Sequence, residues 1–150
     1  MRVYAESSAI LAWLLGERGA HGVVEELARA SLVAASELTF IEVERGLHRA
    51  TRDGRLNEAE RADATALLRQ AGETWSVLEI GDEIAARAKR PFPQEPVRTL
   101  DAIHLASALA AREGVGPLAV LSLDDRIRRS ARELGFDVVP PLGDMVHEVP

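Results

Sequence analysis

The chain alternates between two kinds of stretch, and this alternation restricts its fold more than any other feature. Short apolar runs rich in strand formers appear as "RVYAE" (2–6), "SLVAAS" (31–36), "WSVLEI" (75–80), "LAVLSL" (118–123) and "DVVP" (137–140). Between them lie stretches with helical spacing. "SSAILAWLLGE" carries two serines able to cap a helix and Gly16 as a stop, and "AHGVVEELARA" reads as a second helix. "SELTFIEVERGLHRATRDG" puts Phe40, Val43, Leu47 and Ala50 on one stripe and ends at Asp53-Gly54. "NEAERADATALLRQAG" opens with Asn57 and Glu60 at capping-box spacing and closes on Gly72. "DEIAARAKR", residues 99–113 and "DDRIRRSARELG" are the remaining helices, and the proline-rich "PFPQEPV" is loop. Parallel strands need crossover helices, which cover both faces of their sheet. The pattern therefore predicts an α/β fold, a three-layer α/β/α sandwich around a mostly parallel sheet. It does not give the strand order.

A chain of 150 residues with 47% hydrophobic side chains can build one core. No Ser/Gly/Pro-rich linker or internal repeat divides it, so a single domain over 1–150 is expected, with its core at about 1–140 and a short C-terminal tail. The absence of cysteine excludes disulfides and thiolate metal sites and fits a reducing compartment. "AILAWLL" is far shorter than the ~20 residues of a membrane span, and it follows Glu6 directly, which suits a signal peptide poorly. The expectation is a soluble, cytoplasmic protein. A net charge of −6 argues against broad adhesion to nucleic acid, but not against an enzyme whose carboxylates gather in one cation-binding pocket.

In open parallel sheets, ligands bind beyond the carboxyl ends of the strands. Glu6 stands at the end of the first strand, Asp124 just after the fourth, and Asp101 heads the helix leading into that fourth strand. Clustered carboxylates repel unless a cation compensates, and an all-oxygen cluster suits Mg²⁺ or Mn²⁺. Each residue also has a structural explanation. Asp101 can favour the positive end of a helix dipole, and Ser122 with Asp125 has capping-box spacing. Thr39 and Glu42 match a capping box as well, and periodicity does not choose between Glu42 and Glu44. Glu6 is the hardest to explain structurally, because a charge between a buried strand and an apolar helix is costly without a partner. His104, three residues after Asp101, reads as a hydrogen-bonded core histidine or a ligand. His21, His48 and His147 form no metal pattern with it, and Trp13 and Trp75 read as core.

Taken in order, "VYAESSAILAWL", "SELTFIEVERGL", "RTLDAIHLASAL" and "VLSLDDRIRRSARELGFDVVP" resemble the PIN-domain ribonucleases, especially the VapC-type toxins of toxin–antitoxin pairs. The resemblance covers about residues 1–140, and "LDAIHLASA" is its most specific piece. It implies a PIN-like fold with an acidic pocket binding one or two Mg²⁺ or Mn²⁺ ions, and hydrolysis of RNA phosphodiester bonds. The family's acidic positions fall on Glu6, followed by a supporting Ser7; on Glu42, in preference to Glu44; on Asp101; and on Asp124 with Ser122, Asp125 being an alternative. The resemblance further implies a small VapB-type antitoxin partner and a homodimer. Glu6 departs from the family, which typically has Asp there, and the extra methylene would re-space the pocket or favour Mn²⁺ over the geometrically strict Mg²⁺.

The resulting expectation is metal-dependent endoribonucleolysis. Glu6, Asp101 and Asp124 would hold the cation, and Glu42 would orient or deprotonate the attacking water. Arg45, Arg49 and Arg52 share a helix face, and Arg98 and Arg126 flank the acidic cluster. These arginines are the candidate RNA contacts, the first three having a solvated helix face as the alternative. Two rivals stand beside this reading. One is phosphotransfer through an aspartyl phosphate, which wants an Asp nucleophile and a nearby lysine, whereas the chain offers Glu6 and a single lysine, Lys89. The other is a PIN-like binding module whose Glu6 site no longer cuts.

Overall fold

The structure, a computed structural model, describes residues 1–141. His147 and nearly all of the expected C-terminal tail lie outside the described residues. In chain order the elements are β1 (Arg2–Ala5), α1 (Ser7–Leu15), α2 (Ala20–Arg29), β2 (Leu32–Ser36), α3 (Glu37–Arg52) and α4 (Glu58–Thr74). They continue with β3 (Ser76–Leu78), α5 (Asp82–Ala88), α6 (Thr99–Val115), β4 (Ala119–Leu121), α7 (Asp125–Glu133) and β5 (Asp137–Val139). The strands form one sheet in the order β3-β2-β1-β4-β5, with every neighbouring pair parallel.

Strand alternation sorts the core into two halves. Val3, Ala5, Val33, Ala35 and Leu121 face α1 to α4, where Ile10, Val23, Val43, Leu47 and Leu68 complete one cluster. Tyr4, Ala34 and Val120 face the other way, onto Leu105, Ala108, Ile127 and Ala131 of α6 and α7. The result is the expected three-layer α/β/α sandwich, with the sheet buried on both faces. No helix among the described residues is long and apolar enough to cross a membrane.

Several local expectations are corrected. The third strand covers Ser76–Leu78 rather than 75–80, since the Ile80 N–H leaves the ladder to donate to Glu37 Oε1 at 2.9 Å. The fourth stops at Leu121, and the Ser122 carbonyl turns to accept from Arg128 Nη1 at 2.6 Å. Gly72 does not end its helix, which continues to Thr74. A Cβ at Gly72 would lie 2.9 Å from Phe40 Cε1, so the glycine admits the Phe40 ring between α3 and α4. The cap of α1 is the Glu6 carboxylate, accepting from Ser8 N, and neither serine fills that position. Ser36 caps α3, while Thr39 is fully buried and donates to Ala5 O at 3.0 Å. The capping-box explanation of Glu42 therefore does not hold. The Asn57–Glu60 box and the left-handed Gly16 terminus, at φ 63°, are as expected.

Candidate active site

Because β1, β2 and β4 run parallel, their carboxyl ends open on one edge of the sheet. Glu6 leaves β1 there, Ser36 starts the helix that carries Glu42, and Ser122 to Asp124 leave β4. The first turn of α6 brings Asp101. A cavity of about 440 Å³ at this edge is lined by Glu6, Ser7, Glu42 and Arg49, together with Arg98, Asp101 and Asp124. All four acidic positions thus border one space, although Glu6 and Asp124 are more than a hundred residues apart.

The four carboxylates differ in how they are held. Glu6 is buried, its Oε2 accepting from Ser122 Oγ at 2.6 Å and Ser8 Oγ at 2.5 Å, its Oε1 from Ser8 N at 3.1 Å. Burial pushes its carboxyl above the usual carboxylate range, against the opposing pull of the Ser122 and Ser8 hydrogen bonds. Glu42 is partly exposed, and its Oε1 accepts from Ser7 Oγ at 2.8 Å and lies 2.5 Å from His104 Nε2. Burial pushes Glu42 up too, but the His104 and Ser7 hydrogen bonds outweigh it and hold the carboxyl below its ordinary value.

Asp101 is not the cap of α6. Arg98 occupies that position without a side-chain cap bond, and Asp101 sits two residues into the helix, accepting from Arg98 Nε at 3.3 Å. Asp124 does cap α7, its Oδ1 receiving Arg126 N at 2.8 Å and Ile127 N at 3.2 Å. The helix start is therefore capped by Asp124 and not by Ser122 as the capping-box spacing suggests, and Asp124 borders the cavity all the same. Asp125, the alternative to Asp124, is exposed and outside the lining.

Among the arginines, Arg49 and Arg98 line the cavity, and Arg126 borders an adjoining one beside Arg98 and Asp101. Arg45 lines neither, and Arg52 pairs with Asp53 at 3.2 Å. Lys89 closes α5 away from the acidic cavity. His104 is a core residue, 2% exposed, as its place on an apolar helix suggests. Its contacts with Glu42 and Ser7 nevertheless make it part of the site's support. The only signal for that in the sequence was its spacing of three from Asp101.

The donor chemistry fits a hard divalent cation, since the acidic lining offers carboxylate oxygens with no sulfur or nitrogen among them. Among the described residues no group of three acidic or histidine side chains forms a ready coordination shell. Glu6 is folded back on its serines and Asp124 on its helix end, so assembly of a shell would draw on oxygens already accepting hydrogen bonds.

The profile of the PIN-domain family matches residues 3–133. Ribonuclease VapC46 of Mycobacterium tuberculosis is 32% identical over 139 residues, covering 93% of this chain and 97% of that protein. Ribonuclease VapC45 of the same species is 30% identical over 141 residues, covering 92% and 94%. A chain of a toxin–antitoxin complex from Klebsiella pneumoniae shares the fold with a TM-score of 0.64 at 21% identity, covering 93% of this chain and 97% of its own.

Proposed function

The chain belongs to the PIN-domain family, and from that premise we propose that it is an endoribonuclease hydrolysing RNA phosphodiester bonds with the help of Mg²⁺ or Mn²⁺. The observation that carries this reading is the meeting of Glu6, Glu42, Asp101 and Asp124 around one cavity with arginines at its rim. Glu6, Asp101 and Asp124 would hold the cation. When bound, it supplies a lowered pKa for a coordinated water and compensation for charge developing on the phosphate.

The chain's own residues provide the rest. Glu42, held below its ordinary pKa, is ionised near neutral pH and can accept a proton from the attacking water. Ser122 and Ser8 fix the Glu6 carboxylate. Arg49, Arg98 and Arg126 are placed to bind substrate phosphates beside the acidic centre.

Its relatives are named ribonucleases and a structural neighbour comes from a toxin–antitoxin complex. On that basis we place the chain as a cytoplasmic toxin, homodimeric, held in check by a VapB-type antitoxin. An antitoxin arginine entering the acidic cavity would neutralise it.

The test is cleavage of RNA by wild type and by Asp101→Asn, with Mg²⁺ or Mn²⁺ and with a chelator. Wild type should cut only with metal, and Asp101→Asn should be at least about 100-fold slower, more than loss of an outer supporting group usually costs. Equal cleavage by both proteins removes the mechanism. A second reading, the non-cutting binding module, draws on the serine cage around Glu6, and absence of cleavage under both metals would favour it.

A further inference from the structure

Behind Glu42 lies a line of buried polar groups that the proposed chemistry leaves unused. His104 Nε2 stands 2.5 Å from Glu42 Oε1, and His104 Nδ1 stands 2.8 Å from the Tyr4 hydroxyl. Tyr4 is 1% and His104 2% exposed, so water does not compete for these bonds. The three residues come from β1, α3 and α6 and are brought together only by the completed fold.

The partners determine the protons. An ionised carboxylate only accepts, so His104 Nε2 carries the hydrogen. A neutral imidazole then has its lone pair on Nδ1, and the Tyr4 phenol must donate to it. Tyr4 lies in the core, where its phenol stays in the neutral, proton-bearing form. Ser7 Oγ donates to the same Glu42 oxygen at 2.8 Å and lies 3.0 Å from His104 Nε2. Both donors therefore fall on Oε1. Among the described residues Oε2 receives none.

We propose that Tyr4 and His104 form a positioning relay: Tyr4 fixes the His104 tautomer, and His104 with Ser7 clamps Glu42 by Oε1 and reserves Oε2 for the proton of the attacking water. The last step rests on the nuclease reading, whereas the clamp is a property of the folded protein alone. Any buried histidine needs a partner on each ring nitrogen; this one differs in that its Nε2 partner is a carboxylate lining the acidic cavity. The titratable and charged groups around Glu42 are His104 of α6, Arg49 two turns along α3, and Glu6, Asp101 and Asp124 across the cavity.

The relay is tested first without RNA or metal. Nitrogen-15 NMR at pH 7 should show His104 as the neutral Nε2–H tautomer, and the near-isosteric Tyr4→Phe should release it to exchange between tautomers. Carbon-13 titration of the Glu42 carboxyl should move to higher pH in His104→Leu and return in His104→Gln, whose amide can donate to Oε1. On RNA, His104→Leu should lower kcat about 10–100-fold with KM little changed, and His104→Gln should recover most of it. An Nδ1–H tautomer or a charged imidazolium in wild type overturns the relay. So does a Glu42 titration that is the same in all three proteins. If the NMR signatures appear but wild type cuts no RNA, the clamp stands and the nuclease reading fails.

Discussion

Glu6 shows how one side chain serves two demands that pull against each other. As the cap of α1 and the partner of Ser8 and Ser122, it ties β1 to β4; as a buried carboxylate, it is disfavoured in its charged form. Its folded-state pKa lies above the unfolded value near 4.3. The stability it contributes is therefore fully present below that pH and is lost as pH rises through the folded value. Glu6→Gln keeps an oxygen for Ser8 N but carries no charge. Its Tm should exceed that of wild type at pH 7–8 and approach it near pH 4, by about 2–4 °C for each 1 kcal/mol involved. RNA cleavage should meanwhile fall. Thermal melts without metal across this range decide it, and a Tm difference independent of pH would contradict the assignment. The sequence exposed Glu6 as a charge needing a partner, and the partners are Ser8 and Ser122. Asp124 was less legible: spacing assigned its helix start to Ser122 and Asp125, and only the backbone geometry shows that Asp124 is both cap and cavity wall.

Helix boundaries were legible where the whole motif is local, as at the left-handed Gly16 and at Asn57 with Glu60. The Asn57–Glu60 box announces α4 because both halves of the motif are local, and local chemistry is visible in a sequence. Asn57→Ala should cost about 1 kcal/mol with RNA cleavage unchanged, since α4 contributes nothing to the cavity lining. Chemical denaturation with a parallel activity assay checks both halves. Gly72 misled because glycine usually interrupts a helix, whereas here its reason is the Phe40 ring on another helix. Arg128 was hidden for the same kind of reason. Within "DDRIRRSARELG" it looks like any surface arginine, yet it is 1% exposed and donates to Ser122 O at 2.6 Å and Pro140 O at 2.8 Å. It thus joins the ends of β4 and β5 just behind Glu6's serine. Arg128→Met leaves two carbonyls without their donor and should cost at least about 3 kcal/mol, with a drop in activity as Ser122 loses its support. Denaturant midpoints close to wild type would show that the two strand ends hold without it.

For the whole molecule, alternating strands and helices were enough to require two helical layers around a parallel sheet, but not the order β3-β2-β1-β4-β5, because several orders bury the same apolar runs. That order matters, since placing β1 between β2 and β4 gathers the acids at one edge. It also concentrates negative charge in the cavity of a chain already at −6, so the proposed RNA substrate would have to be drawn in by few cations. Arg49, Arg98 and Arg126 border the acidic centre, and Arg45 on the same helix as Arg49 does not. Three phosphate contacts on single-stranded RNA predict that log K falls against log salt with a slope of about −2. Measured with Asp101→Asn to prevent cleavage, Arg98→Ala should flatten that slope by about 0.7, and Arg45→Ala should leave it alone. A much steeper slope, or equal effects of the two arginine variants, would mean that the strand is held along the open face of α3 and that the cavity's own arginines do not set its path.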